Sequence, residues 1–227
     1  MENLILNVND LNQYLPALKS VEEMNYDGKH WPGGLFWGRA IDGLRLLPDN
    51  KIDLIISKPF SYNNEGKIPS VDFEDQEIWI RESQRSLYEF GAFIVITPLE
   101  FTFEYQRIIQ KYFKNHGRIN FPLESDESRL PWNQPSFDLL VYSKGSSLTT
   151  NPLETNNESK KSLNTQIKDL INIITHKRSV VVDPFVHQGD IAKISHDLER
   201  KFIGFEEDKN KLLMVMKKLN EGDTIND

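Results

Sequence analysis

The residues best suited to chemistry sit in two short stretches. The longer runs Asp183, Pro184, Phe185, Val186, His187, Gln188, Gly189 and Asp190, and a second run from Arg200 closes on Gly204, Phe205 and Glu206. A buried strand, Ser179 to Val182, feeds the Asp-Pro-Phe turn, and another, Lys201 to Phe205, ends in the acidic residue. At the carboxyl ends of parallel strands such a turn is a nucleotide site, and an acid closing the second strand can hold ribose hydroxyls. The distance from Gly189 to Glu206 suits that arrangement. The second stretch is Ser57, Lys58, Pro59 and Phe60, directly after the apolar run Lys51 to Ile56. Other chemistries are poorly served. No cysteine is present, His187 has no second metal ligand at suitable spacing, and the lone Gly189 makes neither a dinucleotide fingerprint nor a phosphate-cradling loop.

Elements of alternating type must position these stretches. Besides the three strands already named, Ala92 to Thr97 and Phe137 to Tyr142 are β-branched or aromatic runs bounded by turn residues. Helical patterns cover Phe73 to Phe90, ending at Gly91, and Leu99 to Asn115, ending at Gly117, where glycine suits a left-handed cap. Two more span Asp190 to Arg200 and Asp208 to Leu219, with Asp190 placed as an N-cap. This alternation implies an α/β fold: a mainly parallel, doubly wound sheet with helices on both faces. The polar stretch Ser143 to Ser162 reads as a flexible connection, residues 1–30 as an N-terminal extension, and the whole of 1–227 as one domain.

The two stretches together resemble the DNA amino-methyltransferases in which the catalytic motif precedes the cofactor motif. That family has Asp-Pro-Phe-x-Gly-x-Gly-Thr followed by Arg-x-Phe/Tyr-Ile-Gly-x-Glu. Asp183, Pro184, Phe185, Gly189, Arg200, Phe202, Ile203, Gly204 and Glu206 follow it here, at the matching interval. Upstream, Leu47, Pro48, Asp49, Asp53, Leu54 and Ile55 match the segment that leads into the catalytic Asp/Asn/Ser-Pro-Pro-Tyr/Phe, and the resemblance covers most of residues 35 to 220. It implies a Rossmann-like methyltransferase fold. S-adenosylmethionine would be held by Asp183, Pro184, Phe185, His187, Gly189 and Glu206. The catalytic tetrapeptide would be Ser57, Lys58, Pro59 and Phe60, with no metal.

By that resemblance the Ser57 hydroxyl and the Lys58 carbonyl accept the hydrogens of an adenine-N6 or cytosine-N4 amine, and Phe60 stacks on the flipped-out base. Several positions depart from the family pattern. Lys58 replaces a proline and brings a cation toward the sulfonium; two unit charges 4 Å apart repel by about 4 kcal/mol at an effective dielectric of 20, a cost that vanishes if the lysine points outward. His187 replaces a glycine that lets the backbone approach the cofactor, and Asp190 replaces a threonine. Trp37, Gly38 and Arg39 occupy the region of a Gly-Asp pair, for which Asp42 is a loose substitute.

Two functions follow from the resemblance. One is a catalytically impaired, methyltransferase-like subunit that supports an active partner methyltransferase, or pairs with itself, in binding nucleic acid. The other is an active S-adenosylmethionine-dependent enzyme on DNA adenine N6 or cytosine N4, with RNA as a variant substrate. A nucleotide-binding protein unrelated to methylation is a third reading. The net charge of -7 and a pI near 5.3 favour the first, because a basic partner would then supply phosphate affinity. The segment Arg107 to Arg118 interleaves basic and aromatic residues and reads as an amphipathic helix, with nucleic-acid contact as the alternative. Target recognition would fall in Ser61 to Val71 and Phe121 to Gln134. Trp31, Trp37, Trp79 and Trp132 mark an interface if exposed and core if buried. No apolar run reaches membrane-spanning length, and no signal-peptide order opens the sequence, so a cytoplasmic location is expected, or a nuclear one in a eukaryote.

Overall fold

Runs such as Ile52–Ser57, buried at every position but Asp53, and Val180–Asp183, buried throughout, suit strands covered on both faces. In the computed structural model, which describes residues 6–31, 33–60, 72–122, 136–145 and 162–221, they lie at the centre of one sheet. The strands are β1 (Lys19–Ser20), β2 (Gly34–Trp37), β3 (Ile52–Ser57), β4 (Leu87–Pro98), β5 (Lys114–Pro122), β6 (Ser136–Ser143), β7 (Val180–Asp183) and β8 (Lys201–Glu206). Their order is β1-β2-β8-β7-β3-β4-β6-β5. Every pairing is parallel except those of β6, which runs antiparallel to β4 and β5.

Alternate residues of the central strands feed two separate cores. Ile55, Val180 and Val182 face helices α2 (Ala40–Leu46), α3 (Phe73–Ser86) and α4 (Thr102–Ile109), through Leu44, Trp79 and Tyr105. Leu54, Ile56 and Val181 face α5 (Leu163–Ile174) and α6 (Asp190–Asp197), through Ile171 and Ile194. A last helix, α7 (Lys209–Glu221), lies against β2 and β8, and α1 (Val8–Tyr14) docks on it through Asp10 and Lys217, 3.0 Å apart. The expected doubly wound α/β architecture is therefore present. From β3 the chain winds outward to β4 and from β7 outward to β8, so the β3/β7 junction is the point where the winding reverses and ligands bind in such sheets.

Several expected boundaries are corrected. The helix from Phe73 stops at Ser86, and Gly91 lies inside β4 rather than at a cap. A side chain there would meet the Ile52 carbonyl at 2.9 Å, so close strand packing accounts for the glycine. The helix expected over Leu99 to Asn115 is a short 3-10 turn followed by α4, and Gly117 sits in β5 beside a register shift. The basic and aromatic segment Arg107 to Arg118 is accordingly the end of a helix, a turn and an edge strand. Asp190 is not the N-cap of α6. Gly189 is, in the left-handed region at φ 78°. Strands β2 and β5 and helices α2 and α5 were not anticipated. The bulk of the connection expected at 143–162, Ser61 to Val71, most of Phe121 to Gln134, and Trp132 lie outside the described residues.

Candidate active site

Pairing of Leu54 with Val181 and of Ile55 with Val182 sets the loop after β3 beside the turn after β7. The Ser57 hydroxyl donates to Asp183 Oδ1 at 2.6 Å, and the Phe185 amide donates to the same oxygen at 3.0 Å. Burial pushes the Asp183 carboxyl up to about 7, against the pull of those two hydrogen bonds. Having spent its one hydrogen on Asp183, Ser57 keeps its lone pairs as acceptors, yet the residue is wholly buried.

The turn is shaped by two left-handed residues, His187 at φ 48° and Gly189 at φ 78°. Gly189 is obligatory, because a Cβ would meet Val215 of α7 at 2.5 Å. His187 is held at both ends. Its amide donates to Glu206 Oε2 at 2.9 Å, and its Nε2 lies 2.8 Å from the Lys58 carbonyl oxygen. A carbonyl only accepts, so Nε2 carries the proton and Nδ1 is the bare nitrogen. Nδ1 is buried without a hydrogen-bond partner, 3.8 Å from Glu206 Oε2, and burial pushes the imidazole down to about 4. It is neutral at physiological pH.

Lys58 does not reach out unpaired. Its Nζ meets Asp190 Oδ2 at 3.1 Å, while Lys218 of α7 meets Oδ1 at 3.2 Å. Burial alone would raise the Asp190 carboxyl, but the two ammoniums outweigh it and hold the group below its ordinary value. The cation expected to disturb the site is thus neutralised by the very aspartate that replaces threonine. Phe60, expected to stack on a base, has one neighbour in the buried Phe137, with ring centroids 5.8 Å apart and planes at 12°.

Glu206 closes the other side of the rim. Oε2 takes the His187 amide and Oε1 the Asp208 amide at 2.9 Å, while its carbonyl accepts from Gly38 at 2.9 Å and draws in the end of β2. A pocket of about 180 Å³ remains between these strand ends, lined by Gly38, Ala40, Pro184, Phe185, His187 and Glu206 among others. Ligand pockets generally run from about 300 to 1,000 Å³. Asp42 does not enter it; its side chain is half exposed and lies 3.9 Å from Arg45. Trp37 is partly exposed, with its indole N–H on the Glu207 carbonyl and Lys209 over its ring, whereas Trp79 is core and meets Phe185 edge-on.

Rim position therefore unites Ser57, Lys58, Pro59, Asp183, Pro184, Phe185, His187, Gly189 and Glu206, with Phe60 stacked on Phe137. Lys218, Glu207 and Lys211 belong to the same neighbourhood and were missed. On a helix as lysine-rich as α7, nothing in the sequence separates an inward lysine from a solvated one.

The DNA methylase family model matches residues 153–217, the C-terminal stretch that carries the turn after β7 and Glu206. Over those residues the chain is similar to the DNA methylases. Among solved structures, TTHA0409 from Thermus thermophilus, whose name marks it provisionally as a DNA modification methylase, is similar with a TM-score of 0.66 at 14% identity, over 83% of this chain and 95% of that one. M1.HpyAVI is similar with a TM-score of 0.62 at 19% identity, over 82% and 98%. The cytosine-N4-specific PvuII DNA methyltransferase is similar with a TM-score of 0.56 at 15% identity, over 84% and 93%. At these identities the likeness is one of fold, and it agrees with the expected Rossmann-like α/β architecture. TTHA0409 and M1.HpyAVI are each also known in complex with S-adenosylmethionine. No curated protein matches the sequence.

Proposed function

We propose that this chain is a catalytically impaired, methyltransferase-like subunit of a DNA amino-methyltransferase assembly, supporting an active partner in binding the substrate. One observation carries the reading: both acceptors that the chemistry requires are withheld by the chain itself. The Lys58 carbonyl already accepts from His187 Nε2 at 2.8 Å, and the Ser57 hydroxyl is buried against Asp183. An exocyclic amine brought to this rim meets a buried serine and must share the carbonyl with the imidazole, so the tetrahedral nitrogen that attacks a methyl group is poorly supported.

The same residues do not fit S-adenosylmethionine as they stand. The imidazole of His187 spans the gap between turn and loop, and the remaining space of about 180 Å³ is small for a ligand of that size. The net charge of -7 supports dependence on a partner, since phosphate affinity must come from elsewhere in an assembly. Residues 1–227 are read as one domain, and no described helix is long and apolar enough to cross a membrane.

The reading is tested by incubating the purified full chain with methyl-labelled S-adenosylmethionine and mixed-sequence DNA. No label should enter the DNA. Label transferred by the chain alone, as a monomer, would overturn the reading.

A further inference from the structure

Lys58 lies 129 and 132 residues from His187 and Asp190, which share one turn, and each of the three departs from the family pattern. Independent decay at three positions would leave three unrelated defects: a cation without a partner, a buried carboxylate and a crowded turn. Instead, the three residues satisfy one another. His187 Nε2 meets the Lys58 carbonyl at 2.8 Å, and Lys58 Nζ meets Asp190 at 3.1 Å. Both contacts run directly between catalytic loop and cofactor turn, at distances that leave no room for a molecule between the bonded atoms.

The arrangement is anchored from behind as well. Lys218 of α7 holds the second oxygen of Asp190 at 3.2 Å and reaches the Gln188 carbonyl at 3.4 Å, while Val215 presses on Gly189. The Lys58, Asp190 and Lys218 side chains are only 21%, 12% and 21% exposed, so their ion pairs are shielded from solvent. We infer that Lys58, His187 and Asp190 form one co-adapted latch that closes the rim to S-adenosylmethionine and itself supplies the tie between loop and turn. The inference rests on the reading above in taking this rim as a methyltransferase site. It goes further in assigning the closed rim to these three residues acting as one coupled unit.

Thermal unfolding and calorimetric titration of the full chain with millimolar S-adenosylmethionine test it. Wild type should show no shift in melting temperature and no heat, and His187→Gly, which fits the left-handed φ and removes the ring, should gain both. A wild-type response overturns the latch while leaving the proposed function intact, since a chain that binds cofactor can still fail to transfer methyl. A folded H187G as unresponsive as wild type overturns it too. If H187G does not fold, the His187 ring nitrogen resonances of wild type decide: unmoved by cofactor they support the latch, and displaced they overturn it.

Asp190→Asn supplies a second arm. It leaves two ammoniums facing one another and should lower the melting temperature by on the order of 10 °C. Adding Lys58→Met to it should recover part of that loss. Strictly additive losses from the two changes would contradict a coupled latch.

Discussion

Asp183, buried, and His187, largely but not wholly covered, lie a few residues apart in one turn, and desolvation moves their titrations in opposite directions. Asp183 is raised from 3.8 to about 7, so its carboxyl binds a proton more readily in the folded chain than in the unfolded one. The stability this contributes is complete below the unfolded value and is lost as pH rises through about 7. At about 1.4 kcal/mol per unit, the span is worth about 4 kcal/mol. His187 is lowered from 6.5 to about 4, so its contribution is present above the unfolded value and is lost as pH falls through about 4, a span of about 3 kcal/mol. Over the shared window from pH 4 to 6.5 the two slopes cancel, and wild type hides both. Asp183→Asn should unmask the histidine: relative to wild type, it gains stability at pH 8 and loses that advantage steadily toward pH 4. His187→Gly should unmask the aspartate, becoming more stable relative to wild type as the solution is acidified. Urea unfolding at half-unit pH steps measures both differences. Curves for D183N and wild type that run parallel from pH 4 to 8 would refute the assignment of a buried, proton-binding carboxyl beside Ser57.

Other consequences are local. Gly189→Ala puts a methyl 2.5 Å from Val215 at a φ of 78°, and should cost about 2 to 3 kcal/mol in urea unfolding. Trp79→Ala removes a fully buried ring that braces Phe185, and a loss of about 3 to 5 kcal/mol is expected, read by thermal unfolding. Arg85→Ala frees the Leu44 and Leu47 carbonyls, now bonded at 2.8 and 2.9 Å, and should cost about 1 to 3 kcal/mol while leaving the strand content seen by circular dichroism unchanged.

Strands β3, β7 and β8 were legible because strands buried on both faces must be apolar without interruption, and these runs end in residues with recognisable chemistry. The shared rim of Ser57 and Asp183 was legible for the same reason, since parallel strands wound outward from one junction bring their carboxyl ends together. What failed depended on distant pairing. The start of β4 mixes Tyr88, Glu89 and Phe90, all exposed, and imitates a helix running to a glycine cap. Strand β5 is an edge strand with basic residues, specified by its register with β6 more than by its own composition. At the site, Asp190 resembles an N-cap by position, yet its oxygens face ammoniums 132 and 28 residues away. Lys58 looked disruptive for want of that partner, and His187 looked merely crowding because the Lys58 carbonyl it meets is backbone and leaves no trace in residue type.

The contact from His187 Nε2 to the Lys58 carbonyl decides how the rim behaves, and a crystal structure of the full chain grown with excess S-adenosylmethionine addresses it most directly. The expected result is the imidazole within hydrogen-bond reach of that carbonyl, with no ligand between loop and turn. Cofactor seated against Glu206, with the imidazole swung away and the carbonyl free, would contradict the account.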